Sequence, residues 1–288
     1  MLNVLVTGAN GQLGSEIRDV SKNYDYKFTF TDRENLDISN KKELKEFFET
    51  DEFDAILNCG AYTAVDQAED DIENANLING EAVKFLSEIA KDKNIKLLHV
   101  STDYVFSGKN FKPYREDDEV NPIGVYGKSK LLGEKYLLEI APKNSIIIRT
   151  SWVYSSFGNN FVKTILKYGK ERDLLKVVYD QIGTPTYARD LAKVILDILP
   201  KIENSEPEIF HYSNEGAISW FDFAKEIVKM AKLDTNIEPI ESFEYPTKTE
   251  RPFYSVLNKR KIKDKYGISI PYWKDSLKNC LIKMGEKR

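Results

Sequence analysis

Short apolar runs alternate with amphipathic stretches through the first half of the chain. Leu2 to Val6 is apolar except at Asn3 and stops at a glycine-rich turn, the pattern of a strand buried on both faces. Similar runs lie at Tyr26 to Thr31, Asp54 to Cys59, Ile95 to Ser101 and Ser145 to Ser151. Between them, helical periodicity predicts helices over Gln12 to Val20, Lys41 to Glu49, Ala75 to Lys91 and Tyr126 to Glu139. In the third of these, Ala82, Phe85, Leu86, Ile89 and Ala90 fall on one face. Strands apolar on both sides and joined by helices predict an α/β fold with a parallel sheet covered on both faces.

The second half is less regular. Residues 159–173 and RDLAKVILDIL read as helices, the latter ended by Pro200. A strand follows at Ile209 to Asn214, then a helix from Trp220 to Lys232 with Ser219 as its N-cap. Pro239, Pro246, Pro252 and Pro271 punctuate the tail before a last helix from about Trp273. The pattern divides the chain into a larger unit, 1–150, to which about 176–200 returns, and a smaller α/β lobe. That lobe takes 151–175 and 201–288.

Composition narrows the class. With 288 residues, 41% hydrophobic and 31% charged, this is an ordinary globular balance. A formal net charge of −4 gives no reason to expect nucleic acid or an anionic membrane as partner. Cys59 and Cys280 are far apart, without metal-ligand spacing, which fits a reducing cytoplasm. The opening MLNVLVTG is too short an apolar run for a signal peptide, and no membrane span is expected.

TGANGQLG sets Gly8, Gly11 and Gly14 after a strand and at the start of a helix, with Asn10, Gln12 and Leu13 between. Glycines there permit a tight turn and close approach of backbone to a pyrophosphate, which meets the helix N-terminus. Asp32, 18 residues after Gly14, stands where an acid holds the adenosine ribose, which favours NADH. The adjacent Arg33 would instead meet the 2′-phosphate of NADPH, so both cofactors stay open. Asp32 as a simple turn former is the plainer alternative. Asp37 and Ile38 would lie against adenine, unless that stretch only caps a helix at Ser39 or Asn40.

Thr102 ends a predicted strand, and Tyr126 follows 24 residues later with Lys130 one helical turn beyond it. After a glycine-rich dinucleotide loop, this set resembles the short-chain dehydrogenase/reductase superfamily, which implies a Rossmann-type doubly wound parallel sheet with 1–150 as the dinucleotide-binding unit and the smaller lobe binding the nucleotide sugar. The resemblance implies that Tyr126 is the general acid, Thr102 orients the carbonyl, and Lys130 holds the nicotinamide ribose. A nearby ammonium also favours a phenolate, so Lys130 is expected to lower the pKa of Tyr126. Within the superfamily, TGANGQLG, LDI, AYTAVDQAE, STDYVFSG, NPIGVYGKSK, IIRTSWVY, NNFVKT, DQIGTPT and RPFYSVL resemble the dTDP-4-dehydrorhamnose reductases. They run in order over essentially the whole chain.

What the resemblance implies is a cytoplasmic enzyme of nucleotide-sugar synthesis for cell-surface polysaccharide. It would reduce the 4-keto group of dTDP-4-dehydro-L-rhamnose with NADPH or NADH. Gly60, Ala61 and Tyr62 would line the cofactor, with Thr63 and Val65 nearer the sugar. Asp103, Tyr104 and Phe106 would wall the site beside Thr102. Trp152 would lie against the sugar, unless it is a core residue, and Arg251 would meet the phosphates, unless it makes a surface salt bridge.

The chain also departs from the family pattern. Asn258 follows RPFYSVL where an Asp is usual. Glu16 matches one glutamate of a metal site at the dimer interface of some members, but Arg189 stands where another would be. No metal is expected, and a homodimer stays open, though not through that face. Two alternatives remain. A nucleotide-sugar epimerase or dehydratase shares the Thr-Tyr-Lys set, but dehydratases carry Asp-Glu after the Thr where this chain has Asp103 and Tyr104. A non-catalytic subunit, like the β subunit of methionine adenosyltransferase, shares the family resemblance itself.

Overall fold

A computed structural model of the protein describes residues 1–286. The first half contains β1 (Leu2–Thr7), α1 (Gln12–Val20), β2 (Tyr26–Phe30), α2 (Lys41–Thr50), β3 (Ala55–Asn58), α3 (Ile72–Asn76), α4 (Ala82–Lys93), β4 (Lys96–Thr102), α5 (Val125–Ile140) and β5 (Ser145–Thr150). The second contains β6 (Val153–Tyr154), α6 (Phe161–Glu171), β7 (Leu174–Val178), β8 (Ile182–Gly183), β9 (Thr186–Tyr187) and α7 (Ala188–Ile198). It continues with β10 (Glu208–His211), β11 (Ile218–Ser219), α8 (Trp220–Ala231), β12 (Asn236–Ile240), α9 (Arg260–Tyr266) and α10 (Trp273–Lys283).

Six parallel strands form the main sheet in the order β2-β1-β3-β4-β5-β10. Chain order reverses between β1 and β3, so the turns after these two strands diverge and leave a crevice at their carboxyl ends. The strands are apolar on both faces, as expected, because each face is covered. Val4, Val6, Leu57, Leu98, Ile146 and Ile148 pack with α1 and α7, whereas Leu5, Ile56, Leu97 and Ile147 pack with α2 and α4. A third core, with Phe223, Ile227, Trp273 and Leu277, holds the smaller lobe.

Local chemistry sets several boundaries. Ser219 caps α8 as expected: its Oγ accepts from the Asp222 amide at 3.0 Å, and Asp222 accepts from the Ser219 amide at 3.0 Å. Asn40, not Ser39, caps α2, accepting from the amides of Lys42 and Glu43 at 3.2 and 3.3 Å. The helix expected over Ala75 to Lys91 begins earlier, at Ile72, and is broken by a π turn at Leu77–Glu81.

Other differences have physical reasons. The strand expected at Ile209 to Asn214 within the smaller lobe forms at Glu208–His211 and joins the main sheet beside β5, where Phe210 enters the large core. Strands β7 and β12 pair with each other. Pro239 in β12 reads as a break, but an edge strand tolerates a missing amide. Helix α9 is mostly Lys, Arg and Asp, and only Ile262 and Tyr266 anchor it.

One ion pair is sealed between α5 and β5. Arg149 and Glu134 are 3% and 1% exposed, joined at 2.7 Å through Nη2 and 3.0 Å through Nε. Replacing Arg149 with Leu strands the carboxylate in the core. It should cost about 3–5 kcal/mol in urea denaturation, most of it recovered in the Glu134→Leu/Arg149→Leu double variant. A single-variant loss below about 1 kcal/mol would show that water reaches the pair.

Candidate active site

The crevice at the strand reversal opens into a cleft of about 860 Å³. Gly8 ends β1 with φ +64°, and a Cβ there would stand 2.5 Å from the Gly60 amide nitrogen, so only glycine lets the two turns approach. Gly11 caps α1 without any side-chain partner, which leaves first-turn amides of that helix facing the cleft. An uncapped helix start beside a turn closed against Gly60 suits a pyrophosphate. The residues present therefore fit a dinucleotide.

At the far side, β4 and α5 deliver the chemistry. Thr102 ends β4, and its Oγ1 donates to Asp103 Oδ1 at 3.0 Å while accepting from the Tyr104 amide at 3.2 Å. Tyr126 and Lys130 stand one turn apart on α5, and Lys130 Nζ donates to the Val100 carbonyl at 2.7 Å. The Glu134 carboxylate, a turn further, accepts from Arg149 and from Ser101, the neighbour of Thr102. Asn79, in the π turn, accepts from the Tyr62 amide at 2.9 Å and donates to the Tyr62 carbonyl and the Ser129 hydroxyl, each at 3.0 Å. It ties the turn after β3 to α5.

Burial dominates the electrostatics. The Tyr126 hydroxyl is pushed up to about 12 by burial, against the lowering effect of Thr102. This corrects the expectation that Lys130 would lower it: desolvation of the phenolate wins, and the group stays protonated at neutral pH. Lys130 is lowered to about 8 by burial, opposed by Glu134 and Cys59. Asp103 is raised to about 7 by burial, opposed by the hydroxyls of Thr102 and Ser255.

The cleft gathers nearly every residue singled out from the sequence. Gly8, Asn10, Gly11, Gln12, Leu13, Asp32, Arg33, Asp37 and Ile38 line one end. Gly60, Ala61, Tyr62, Thr63, Val65, Thr102, Asp103, Tyr104, Tyr126, Lys130 and Trp152 complete it. Asp32 is a turn former as well: it accepts from the Glu34 amide at 3.0 Å and from the Asn10 side chain. Asp37 likewise holds a turn, accepting from the Ser39 amide at 2.9 Å.

Two expectations need correction. Gly14 packs back on the Gly8 carbonyl instead of lining the cleft, so it serves helix-on-strand packing. Phe106 is buried away from the cleft, stacked on Tyr114 at 4.2 Å under the Arg149 guanidinium. Arg251, left open between the phosphates and a salt bridge, lies outside the cleft lining and pairs with Asp66 at 2.6 Å, while among the described residues its buried Nη1 has no partner. Glu16, which matches a metal-site glutamate of some family members, accepts from Lys283 at 2.7 Å and Arg189 at 3.2 Å.

Sequence reasoning missed Asn58, Asn79 and His99, and the pairing of Arg149 with Glu134. A signal existed for Asn58, His99 and Arg149, which interrupt apolar runs that were predicted to be buried. A polar side chain there must find a partner. It also missed Gly158 and Asn160, which line the cleft from the loop before α6.

Comparison with known proteins adds an independent line. Residues 2–285 match the family described as the RmlD substrate binding domain. The dTDP-4-dehydrorhamnose reductase of Aggregatibacter actinomycetemcomitans is 42% identical over 97% of this chain and 98% of its own. A solved dTDP-4-dehydrorhamnose reductase from Clostridium acetobutylicum superposes with a TM-score of 0.94 at 40% identity, covering 99% of this chain and 100% of its own. Another, from Bacillus anthracis in complex with NADP, gives 0.92 at 36% identity over 98% and 99%.

The buried Asp103 carries a pH signature. Its folded pKa of about 7 lies above the ordinary 3.8, so the fold keeps a proton that the unfolded chain gives up. Stability therefore falls as pH rises from about 4 to about 7 and levels off above that. Asp103→Asn, which resembles the protonated form, should melt higher than the parent at pH 8, with the advantage shrinking toward pH 4. Equal melting temperatures at pH 8 would mean that the carboxylate is solvated.

Proposed function

The chain belongs to the RmlD family of dTDP-4-dehydrorhamnose reductases, and from that premise we propose which residues carry its reaction. It is an NAD(P)H-dependent oxidoreductase that converts dTDP-4-dehydro-L-rhamnose to dTDP-L-rhamnose. The observation that carries the proposal is the meeting of Thr102, Tyr126 and Lys130 at one end of a cleft whose other end is the glycine turn. A dihydronicotinamide held in this cleft would supply the hydride that reduces carbon 4 of the sugar.

The chain's own residues do the rest. Tyr126 donates its proton to the carbonyl oxygen as negative charge develops there. A hydroxyl pushed up to about 12 is fully protonated at neutral pH, as a donor must be. Thr102 orients the same oxygen, and Lys130 holds the nicotinamide ribose. Gly8, Asn10, Gly11, Gln12 and Leu13 take the pyrophosphate end, while Asp37 and Ile38 flank adenine. Gly60, Ala61 and Tyr62 line the cofactor, and Thr63, Val65, Asp103, Tyr104 and Trp152 form the sugar side. Arg251 retains an unpartnered guanidinium nitrogen that suits a phosphate oxygen.

Cofactor choice follows from the neighbours of Asp32. Its carboxylate is already engaged by Asn10 and by the Glu34 amide, whereas Arg33 is 79% exposed with only Asp37, at 3.8 Å, beside it. Arg33 is therefore free for a 2′-phosphate, which favours NADPH. Among the described residues, no helix is long and apolar enough to cross a membrane, and the proposed setting is the cytoplasm. The proposal excludes a homodimer joined at Glu16, because Arg189 and Lys283 already answer that carboxylate.

The first experiment follows absorbance at 340 nm with dTDP-4-dehydro-L-rhamnose and either NADPH or NADH. Oxidation of neither would remove this substrate. Arg33→Ala should raise the KM for NADPH about tenfold and leave that for NADH nearly unchanged, and an equal rise for both would dissociate Arg33 from the 2′-phosphate. Tyr126→Phe should lower turnover by about 10²–10⁴-fold while cofactor affinity survives. Turnover near that of the parent would assign the proton to another group. Lys130→Ala should weaken cofactor binding as well as rate, and unchanged cofactor affinity would refute its anchoring role.

A further inference from the structure

Three polar side chains lie buried in a row across the main sheet, and the mechanism above uses none of them. Thr7, Asn58 and His99 are register partners on β1, β3 and β4, at 1%, 1% and 0% exposure. They occupy the face of the sheet that also carries Leu5, Ile56 and Leu97. Buried polar groups in such strands are tolerated only when bonded. Here they satisfy one another, with Thr7 Oγ1 2.8 Å from Asn58 Oδ1 and Asn58 Nδ2 3.0 Å from His99 Nδ1. The row ends at Lys130, whose Nζ lies 3.3 Å from His99 Nε2.

The polarity of this row depends on the charge of Lys130. An ammonium can only donate, so His99 must then present a lone pair at Nε2 and carry its proton on Nδ1. Nδ1–H donates to the Asn58 carbonyl oxygen, and the Asn58 amide donates to Thr7. An uncharged amine can accept, and every bond then reverses: Thr7 donates to Asn58, Asn58 to His99, and Nε2–H to Lys130. The two ends of a carboxamide have the same shape, so both polarities fit the same distances. His99 does not become a cation itself, since burial and the Lys130 charge hold its pKa well below the ordinary value.

We infer that His99, held by Asn58 and Thr7, is a positioning residue that sets the aim and the proton affinity of Lys130. The inference rests on Lys130 being the cofactor anchor. The groups facing Lys130 are Glu134 and Tyr126 on its own helix, Cys59 after β3, and His99 on β4. Glu134 and Cys59 favour its charged form, while burial opposes it and brings the ammonium down to about 8. A hydrogen-bond acceptor 3.3 Å away therefore bears on whether Lys130 is charged within the working pH range.

The test needs no substrate. Protein labelled with ¹³C-lysine is titrated by NMR, and the Lys130 εCH₂ signal is identified by its loss in Lys130→Arg. In His99→Phe, which lacks an acceptor, the Lys130 midpoint should fall by about one pH unit from the parent value. In His99→Gln, whose side-chain oxygen reaches the place of Nε2, it should stay near the parent value. An unmoved midpoint in His99→Phe, or equal shifts in both variants, would overturn the inference.

Should His99→Phe fail to fold, Asn58→Leu takes its place. That change leaves His99 Nδ1–H without a partner whenever Lys130 is charged, so the midpoint should again fall, and a parent-like value overturns the inference. The expected shift in a protein that oxidises neither NADPH nor NADH with the nucleotide sugar would support the positioning role while refuting the reductase reading. The two ideas therefore fail separately.

Discussion

The sealed contact between Glu134 and Arg149 fixes where the reacting groups stand. Glu134 lies one turn past Lys130 and two turns past Tyr126 on α5, and the same carboxylate accepts from Ser101, next to Thr102. Arg149, on β5, closes the pair and lays its guanidinium over Phe106. The three residues proposed to handle the carbonyl and the ribose are thus referred to one buried charge pair. Such a pair gains little net stability over apolar residues of similar shape. Its value lies in direction, because bonds from both Nε and Nη2 admit a narrow range of helix placements.

Burial around that joint also acts on the titratable groups, which respond in opposite senses. Tyr126 and Asp103 are pushed toward their neutral acids, and Lys130 toward its neutral base. All three follow from one cause, the cost of charge in a poorly solvated place. For a reduction the sense is favourable. The group that must give a proton holds one, and negative charge forming on the substrate oxygen meets little competing water. Stability is lost in exchange at Asp103, whose carboxylate is buried without a cation to pair with among the described residues.

Much of this was legible in the sequence wherever the signal was short-range. Alternating buried strands and amphipathic helices, the glycine turn, and the one-turn spacing of Tyr126 and Lys130 each need only a few adjacent residues. What escaped depends on distant partners. Phe106 shares a motif with Thr102 but turns into a small core with Tyr114 and Leu257, which the local motif does not reveal. Arg251 meets Asp66, 185 positions away. The pairing of β7 with β12 joins two weak segments neither of which stands out alone. Asn58 and His99 were visible as polar breaks in apolar runs, yet only their register shows that they touch.

Trp152 illustrates how the two parts of the fold share the side of the cleft proposed for the sugar. It follows β5 directly and takes φ +48°, a left-handed conformation costly for a bulky residue. Its indole stacks on Trp220 of the smaller lobe, centroids 3.6 Å apart and planes within 10°. It also fills the space over Gly183, where a Cβ would stand 2.6 Å from the ring. The strain is sustained because residues from β8 and α8 leave the ring no other place. The main sheet thus supplies the backbone of Trp152 while the smaller lobe fixes the plane of its indole. Sugar recognition on this reading follows the position of the lobe, whereas the chemistry of Tyr126 follows α5 and the buried pair behind it.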